Sequence, residues 1–511
     1  MKRRTLALGL ALGVSVLASA TEPQVVAPRG ARAAEPAASA RKPNILILLF
    51  DDLRFDSFSY RGGPVPTPNI DALAAESTRF DLAISTTGLC SPSRAALFTG
   101  RWGHRTGLDD NVELWHSRLA KLRDDEGGLL RVASANGYRV GYVGKWHLGE
   151  RGPQIRGADY VEAFVEEEAA RKLYTPRDSL AAVRRYQLGE RDAGGEKHQY
   201  YETLPGSYES SFTAEKVRKG QAFFRQVAGD GKPFFAVVSF QQPHPPYRVP
   251  EPYASMFDPQ ELALPSNHLA PREAKPLSQE YPWWPWHDVG HMTDRDWREA
   301  RAKYYGAVAM IDRAVGDLIR TTKETGLYDD LHIVLLGDQG SMIGEHGLYD
   351  KAAYAYDELM RIPLLMRAPG ARPRIVDHHV SLIDIPATLF DWMDLEPDKP
   401  IDGQSLAGVI DGSSSYKGPD DALYAYEWYN GAWFGLRALR TRDYKYVWNP
   451  GESLDELYDL KADPGETVNL VNAPRHASIV MALRQRLLDR LKAVEDPAAA
   501  NLALLIERSG R

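Results

Sequence analysis

The sequence predicts an α/β fold: a large mixed, mostly parallel sheet sandwiched by helices, with a smaller C-terminal antiparallel sheet plus helix. Three observations carry that expectation. Short, nearly continuous apolar runs recur between Asn44 and Gly337, helical patterns lie between them, and beyond Asp421 short aromatic-rich runs alternate with turn residues.

The apolar runs are "NILILLF" (44–50), "YRVGYVG" (138–144), "FFAVVSF" (234–240) and "LHIVLLG" (331–337). Their length and β-branched content suit strands buried on both faces, as in a parallel sheet. "TPNIDALAAES" supplies Thr67 as a helix cap with Pro68 at the first helical position. From Thr293 to Thr325, Trp297, Ala300, Tyr304, Val308, Ile311, Val315 and Leu318 recur at helical spacing, and Gly326 ends the pattern. The small, polar stretch "DGSSSYKGPDD" (411–421) reads as a linker. It divides a catalytic domain, 43–415, from a C-terminal α+β subdomain, 421–511. In the latter, "ALYAYEWY", "WFGLRALRT" and "YKYVWN" read as antiparallel strands, and an amphipathic helix from about His476 to Val494 would cover one face.

Composition narrows the function. At 511 residues the chain exceeds what one compact core usually holds. A net charge of -7 with no basic stripe argues against a nucleic-acid partner. Residues 1–20, "MKRRTLALGLALGVSVLASA", combine a basic head, a short apolar core and a small-residue end, which is a signal peptide. Residues 21–42 read as a disordered leader, and no other stretch is long and apolar enough for a membrane span. The expected location is periplasmic or secreted. Export makes the single cysteine, Cys90, conspicuous, because it has no partner for a disulfide.

Each apolar run ends in residues that can do chemistry, and this regularity is the strongest functional signal in the chain. The first leads to Asp51 and Asp52, the second to Lys145 and His147, the third to His244, the fourth to Asp338 and Gln339. Ligands in open parallel sheets sit beyond the carboxyl ends of the strands, so these residues would meet along one edge. Singly, an Asp-Asp pair is often only a turn and a lone histidine only a surface residue; four runs sharing one pattern favour a site. Clustered carboxylates repel unless a cation neutralises them, and three carboxylates with an amide suit Ca²⁺ or Mg²⁺. A thiolate zinc site is excluded by the cysteine count. Arg94, Lys145 and Lys351 add positive charge suited to a sulfate or phosphate group. Ser91 and Pro92 read as cap and first residue of a helix running through "SRAALF", which would set Cys90 at the positive end of its dipole.

"CSPSR" followed by "AALFTGR" resembles the signature of the type I, formylglycine-dependent sulfatases. The likeness extends through "NILILLFDDLR", "TPNIDALAAES", "GYRVGYVGKWHLG", "PHPPY", "GDQGSMIGEHGLYDK", "RIPLLMRAPG" and "DELYDLKADPGETVNL", and its context is most like the bacterial carbohydrate and iduronate-type sulfatases. The resemblance implies an alkaline-phosphatase-like fold and conversion of Cys90 to formylglycine by a formylglycine-generating enzyme. It implies one Ca²⁺ ion held by Asp51, Asp52, Asp338, Gln339 and residue 90. It also implies that Arg94 steadies the nucleophile, Lys145 and Lys351 grip sulfate oxygens, His147 accepts a proton from residue 90, and His244 protonates the departing alcohol.

One position departs from the family pattern: Gln339 stands where Asn or His is common, and its extra methylene changes the reach. His346 is open to a substrate-contacting role or a turn role. The tryptophans of "YPWWPWHDVGH" (281–291) are open to a sugar platform or loop packing. The expected activity is hydrolysis of a sulfate ester, with a sulfated carbohydrate as substrate. An arylsulfatase, a phosphonate or phosphate monoester hydrolase using the same nucleophile, and a non-catalytic carbohydrate-binding protein are the alternatives.

Overall fold

The computed structural model describes residues 42–112, 117–150, 152–164, 200–270, 274–279, 289–414, 418–429 and 433–509. The expected signal peptide, the leader up to residue 41 and the tryptophans of 281–288 lie outside the described residues. Residues Lys42–Arg511 form one compact unit.

The strands, in chain order, are β1 (Asn44–Phe50), β2 (Thr78–Ile84), β3 (Arg139–Lys145), β4 (Tyr160–Phe164), β5 (Tyr201–Leu204), β6 (Phe234–Phe240), β7 (Tyr247–Pro250) and β8 (Leu331–Gly337). They continue as β9 (Met342–Ile343), β10 (Tyr349–Asp350), β11 (Leu364–Arg367), β12 (Arg374–Ser381), β13 (Asp421–Tyr429), β14 (Trp433–Thr441), β15 (Tyr444–Trp448) and β16 (Glu456–Asp459). Eight of them build the main sheet in the order β12-β2-β11-β8-β1-β6-β3-β4. β11 runs antiparallel to both its neighbours, and every other pairing in that sheet is parallel. The sheet is therefore mixed and mostly parallel, as the apolar runs require. β13 to β16 form the C-terminal antiparallel sheet in sequential order.

Alternation along β1 explains the sandwich. Leu46, Leu48 and Phe50 enter a core shared with the helices Phe212–Val227 and Asp294–Glu324. Ile45, Ile47 and Leu49 enter a second core on the opposite face, with the helices Cys90–Thr99, Leu129–Ala135 and Asp384–Met393. Successive side chains point to opposite faces, so a strand apolar at every position must be covered on both.

The long helix starts where its capping residues place it: the Thr293 hydroxyl accepts from Asp296 N–H while the Asp296 carboxylate accepts from Thr293 N–H. The helix at Cys90 begins earlier than expected. Leu89, not Ser91, is the cap, and Ser93 N–H donates to the Leu89 carbonyl at 3.0 Å. Ser91 is thus inside the helix, and its hydroxyl donates instead to the His147 carbonyl at 2.7 Å. The terminal helix spans Ala477–Ala493, and a further helix, Ala499–Ser509, follows it.

Candidate active site

Four strands that end in candidate residues lie side by side in the sheet, in the order β8-β1-β6-β3. The parallel register of β1 with β8 sets Phe50 beside Gly337, so the next residues, Asp51 and Asp338, leave the sheet together. Asp51, Asp52 and Asp338 converge until carboxylate oxygens from all three lie within 4.8 Å of one another. Asp52 and His147 adopt left-handed backbone, with φ of 59° and 58°. Holding such residues there costs about 1–3 kcal/mol each, and strain of this kind concentrates at functional sites.

Arg94 crosses the floor of the cluster. Its Nε donates to Asp338 Oδ2 at 2.8 Å, its Nη1 donates to Ser239 Oγ at 2.8 Å and to the Lys145 carbonyl at 3.0 Å, and its Nη2 lies 3.8 Å from Asp51 Oδ1. Lys145 Nζ donates to Asp51 Oδ2, and Lys351 Nζ donates to Asp52 Oδ2 at 2.6 Å while lying 3.3 Å from Asp350 Oδ1. His244 Nε2 stands 3.8 Å from Asp52 Oδ2. Its side chain is 25 % exposed whereas those of Arg94 and the three aspartates are fully buried, so the site opens towards His244. His147 is buried.

Burial raises every carboxyl group here, and neighbouring charge decides which stays ionised. Lys145, His244, Arg94 and Lys351 overcome burial at Asp51 and hold it well below the usual carboxylate range. Asp52 and Asp338 are pushed up, by burial first and then, for Asp338, by the Asp51 charge, despite Lys351 and Arg94. Burial and Asp51 likewise push the Cys90 thiol well up. As a plain thiol, Cys90 would be a poor nucleophile at neutral pH.

The donor set fits a hard cation. Asp51 Oδ1 and Gln339 Oε1 are buried oxygens that accept no hydrogen bond, and such orphans call for a partner. Gln339 Nε2 donates to Asp52 and lies 3.1 Å from Cys90 Sγ, so the longer side chain reaches the cluster. Turning its carboxamide over would present Oε1 to the same space. A cation there would relieve the mutual repulsion of the carboxylates.

A family model described as Sulfatase matches residues 43–395, which contain every residue of this cluster. The chain belongs to the sulfatase family. It is a sulfuric ester hydrolase, and a second model, described as N-sulphoglucosamine sulphohydrolase, C-terminal, matches residues 344–493. The sulfatase is 30 % identical to the choline-sulfatase of Rhizobium meliloti, over 85 % of this chain and 83 % of that one. It is 28 % identical to the ulvan-active sulfatase of Formosa agariphila, over 89 % and 82 %. Among solved structures, the phosphonate monoester hydrolase of Agrobacterium radiobacter superimposes with a TM-score of 0.74 at 26 % identity, covering 88 % of this chain and 96 % of that one.

Other residues of the sulfatase lie outside the cluster or carry little signal in the sequence. His346 stacks on Tyr356 with ring centroids 3.8 Å apart and meets Asn267 at 3.2 Å. Burial and nearby Lys275 push it down to about 3, the behaviour of a neutral packing residue. Ser239, which holds Arg94, was legible in principle as the lone polar residue of the buried run "FFAVVSF". Ser85 and Ser93 both donate to the Asp338 carbonyl at 2.6 Å; Ser93 lies inside the "CSPSR" motif, whereas nothing in the sequence around Ser85 separates it from an ordinary serine.

Proposed function

We propose that this sulfatase hydrolyses an O-sulfated carbohydrate, using residue 90 as formylglycine and one Ca²⁺ ion. The observation that carries the reading is Cys90 itself: fully buried, at the first turn of a helix, and within reach of Gln339 beside three converging aspartates. Asp51, Asp52, Asp338, Gln339 and residue 90 would hold the ion, which would supply Lewis-acid polarisation of the sulfate oxygens. Conversion to formylglycine would supply a hydroxyl nucleophile that the thiol does not.

The remaining roles belong to side chains. Lys145 and Lys351 bind sulfate oxygens, exchanging part of their ion pairs with Asp51 and Asp52 for the incoming anion. Arg94 fixes the orientation of residue 90 against Asp338. His244, the exposed member, donates a proton to the departing alcohol oxygen. His147 accepts a proton from the hydroxyl left on residue 90. Relatives named ulvan-active sulfatase and, at 25 % identity in Bacteroides thetaiotaomicron, N-acetylglucosamine-6-O-sulfatase support a sulfated sugar. Maturation by a formylglycine-generating enzyme and export through residues 1–20 complete the reading; among the described residues no helix is long and apolar enough to cross a membrane.

The test is a mass spectrum of the peptide spanning Cys90, taken together with sulfate release from defined sulfated saccharides. An unmodified thiol in fully active enzyme would overturn the nucleophile. A second reading, a phosphonate monoester hydrolase, is favoured by the superposition on that enzyme from Agrobacterium radiobacter. Parallel turnover of a sulfate and a phosphonate monoester separates the two.

A further inference from the structure

The loop that carries Asp338 and Gln339 is gripped from behind by the turn Asp357–Met360. Gly340 N–H donates to the Leu359 carbonyl at 2.9 Å and Ser341 N–H to the Glu358 carbonyl at 3.1 Å. On the other side, Ser85 N–H donates to the Met360 carbonyl at 2.8 Å while the Ser85 hydroxyl donates to the Asp338 carbonyl. The position of this turn therefore sets the position of two candidate metal-binding residues.

The turn is in its own right anchored to the C-terminal sheet. Arg440 of β14 donates to both carboxylate oxygens of Asp357, at 2.9 and 2.8 Å. Lys445 of β15 lies 2.8 Å from Asp357 Oδ1 and 2.6 Å from Glu466 Oε1. Glu466 Oε2 in turn accepts from Asp357 N–H at 2.8 Å. Lys445 is 0 % exposed and Glu466 1 %, and Glu466 is held in left-handed backbone at φ 54°. Buried ion pairs add little stability over apolar packing of the same volume, so their use in fixing geometry is the better account of such a cluster.

We propose that Asp357, Arg440, Lys445 and Glu466 are positioning residues: through the turn Asp357–Met360 the C-terminal sheet fixes where Asp338 and Gln339 stand. The C-terminal sheet thus acts on the site by holding its loop in place. This rests on the reading that Asp338 and Gln339 belong to the active site.

Lys445→Met, in the full-length matured enzyme, tests it by turnover of para-nitrophenyl sulfate and by the thermal shift that added Ca²⁺ gives the chelated protein. The expected result is a kcat lowered roughly 10- to 100-fold with KM little changed, and a Ca²⁺ midpoint raised by a similar factor. Lys445→Arg should restore most of both. A Lys445→Met protein with the native circular dichroism spectrum, unchanged kcat and unchanged Ca²⁺ midpoint overturns the proposal. If that variant does not fold, Lys445→Met/Glu466→Gln, which removes one charge of each sign, is measured in the same way; failure of both to fold assigns the cluster to stability and also overturns it. If the wild type shows no Ca²⁺ response while Lys445→Met still loses kcat, the metal assignment fails and the positioning role stands.

Discussion

Arg94 and Asp338 form a fully buried ion pair at 2.8 Å, joining the helix that begins at Cys90 to the loop that leaves β8. The same guanidinium ties in β3 through the Lys145 carbonyl and β6 through Ser239. One planar side chain with a fork of donors thus fixes three elements against the first turn of the Cys90 helix, which a lysine cannot do.

Arg94→Met should accordingly both abolish turnover and destabilise the fold by about 3–5 kcal/mol, because it strands a buried carboxylate. Urea unfolding of the variant measures the loss. Arg94→Lys should recover part of the stability and little of the activity, since a single ammonium replaces three directed contacts.

Cys90→Ala should fold normally and lose activity by at least about 10³-fold. The cysteine side chain is small, so truncation leaves little cavity. Enzyme produced without maturation should be as inactive as Cys90→Ala, because burial and Asp51 keep the thiol protonated. Equal activity in matured and unmatured preparations would contradict this.

Chelation should lower the thermal midpoint and stop turnover. A ligand present at 100 times its Kd stabilises by about 2.7 kcal/mol, and its removal restores the repulsion among Asp51, Asp52 and Asp338. Asp338→Asn should no longer respond to chelator. A wild-type melting curve that is the same with and without chelator would exclude a structural contribution from the ion.

Gly340→Ala should be disproportionately costly for so small a change. A Cβ at position 340 would stand 1.9 Å from the Glu358 carbonyl oxygen, so the loop and the turn would have to separate. The expected destabilisation is about 1–3 kcal/mol, with a fall in kcat, because Gln339 moves with the loop. Thermal denaturation and steady-state kinetics together check it.

Stability should decline below about pH 6.5 through histidines that the fold keeps neutral. Burial, aided by Arg367, Lys275 and Arg440 respectively, pushes His332 down to about 4 and both His346 and His379 down to about 3. The unfolded chain binds these protons from about pH 6.5 downwards and the folded chain does not. Each histidine therefore costs stability progressively as pH falls from about 6.5 to its folded value, by about 1.4 kcal/mol per pH unit. His346→Asn, which tolerates the left-handed backbone at φ 54°, should flatten the stability curve between pH 6 and 4 by one proton. An unchanged slope would show that His346 is not among the groups responsible.

Much of this was legible in one dimension. The run "NILILLF" is apolar at every position, and only a strand covered on both faces makes use of that; β1 occupies those seven residues. Thr293 and Asp296 define a helix start by local hydrogen bonds alone, so that boundary could be read from four residues. Cap chemistry misled at Ser91: the helix starts earlier, at Cys90, and the Ser91 hydroxyl is engaged across the chain, donating to the His147 carbonyl and accepting from Val112 N–H at 3.3 Å. The antiparallel β11 and the short β16 had no distinctive period, and their places come from pairing across the chain.

By itself the sequence determined which residues end the buried strands and set the single cysteine in its motif. Those follow from residue type and short-range pattern. Only the tertiary structure decided the strand order β8-β1-β6-β3 that makes neighbours of four distant segments. It also decided that Gln339 reaches Cys90, and that the C-terminal sheet holds the turn behind the aspartates. Such contacts join residues far apart in the chain, and the energy that selects them comes from burial and charge pairing between elements, which no local stretch records.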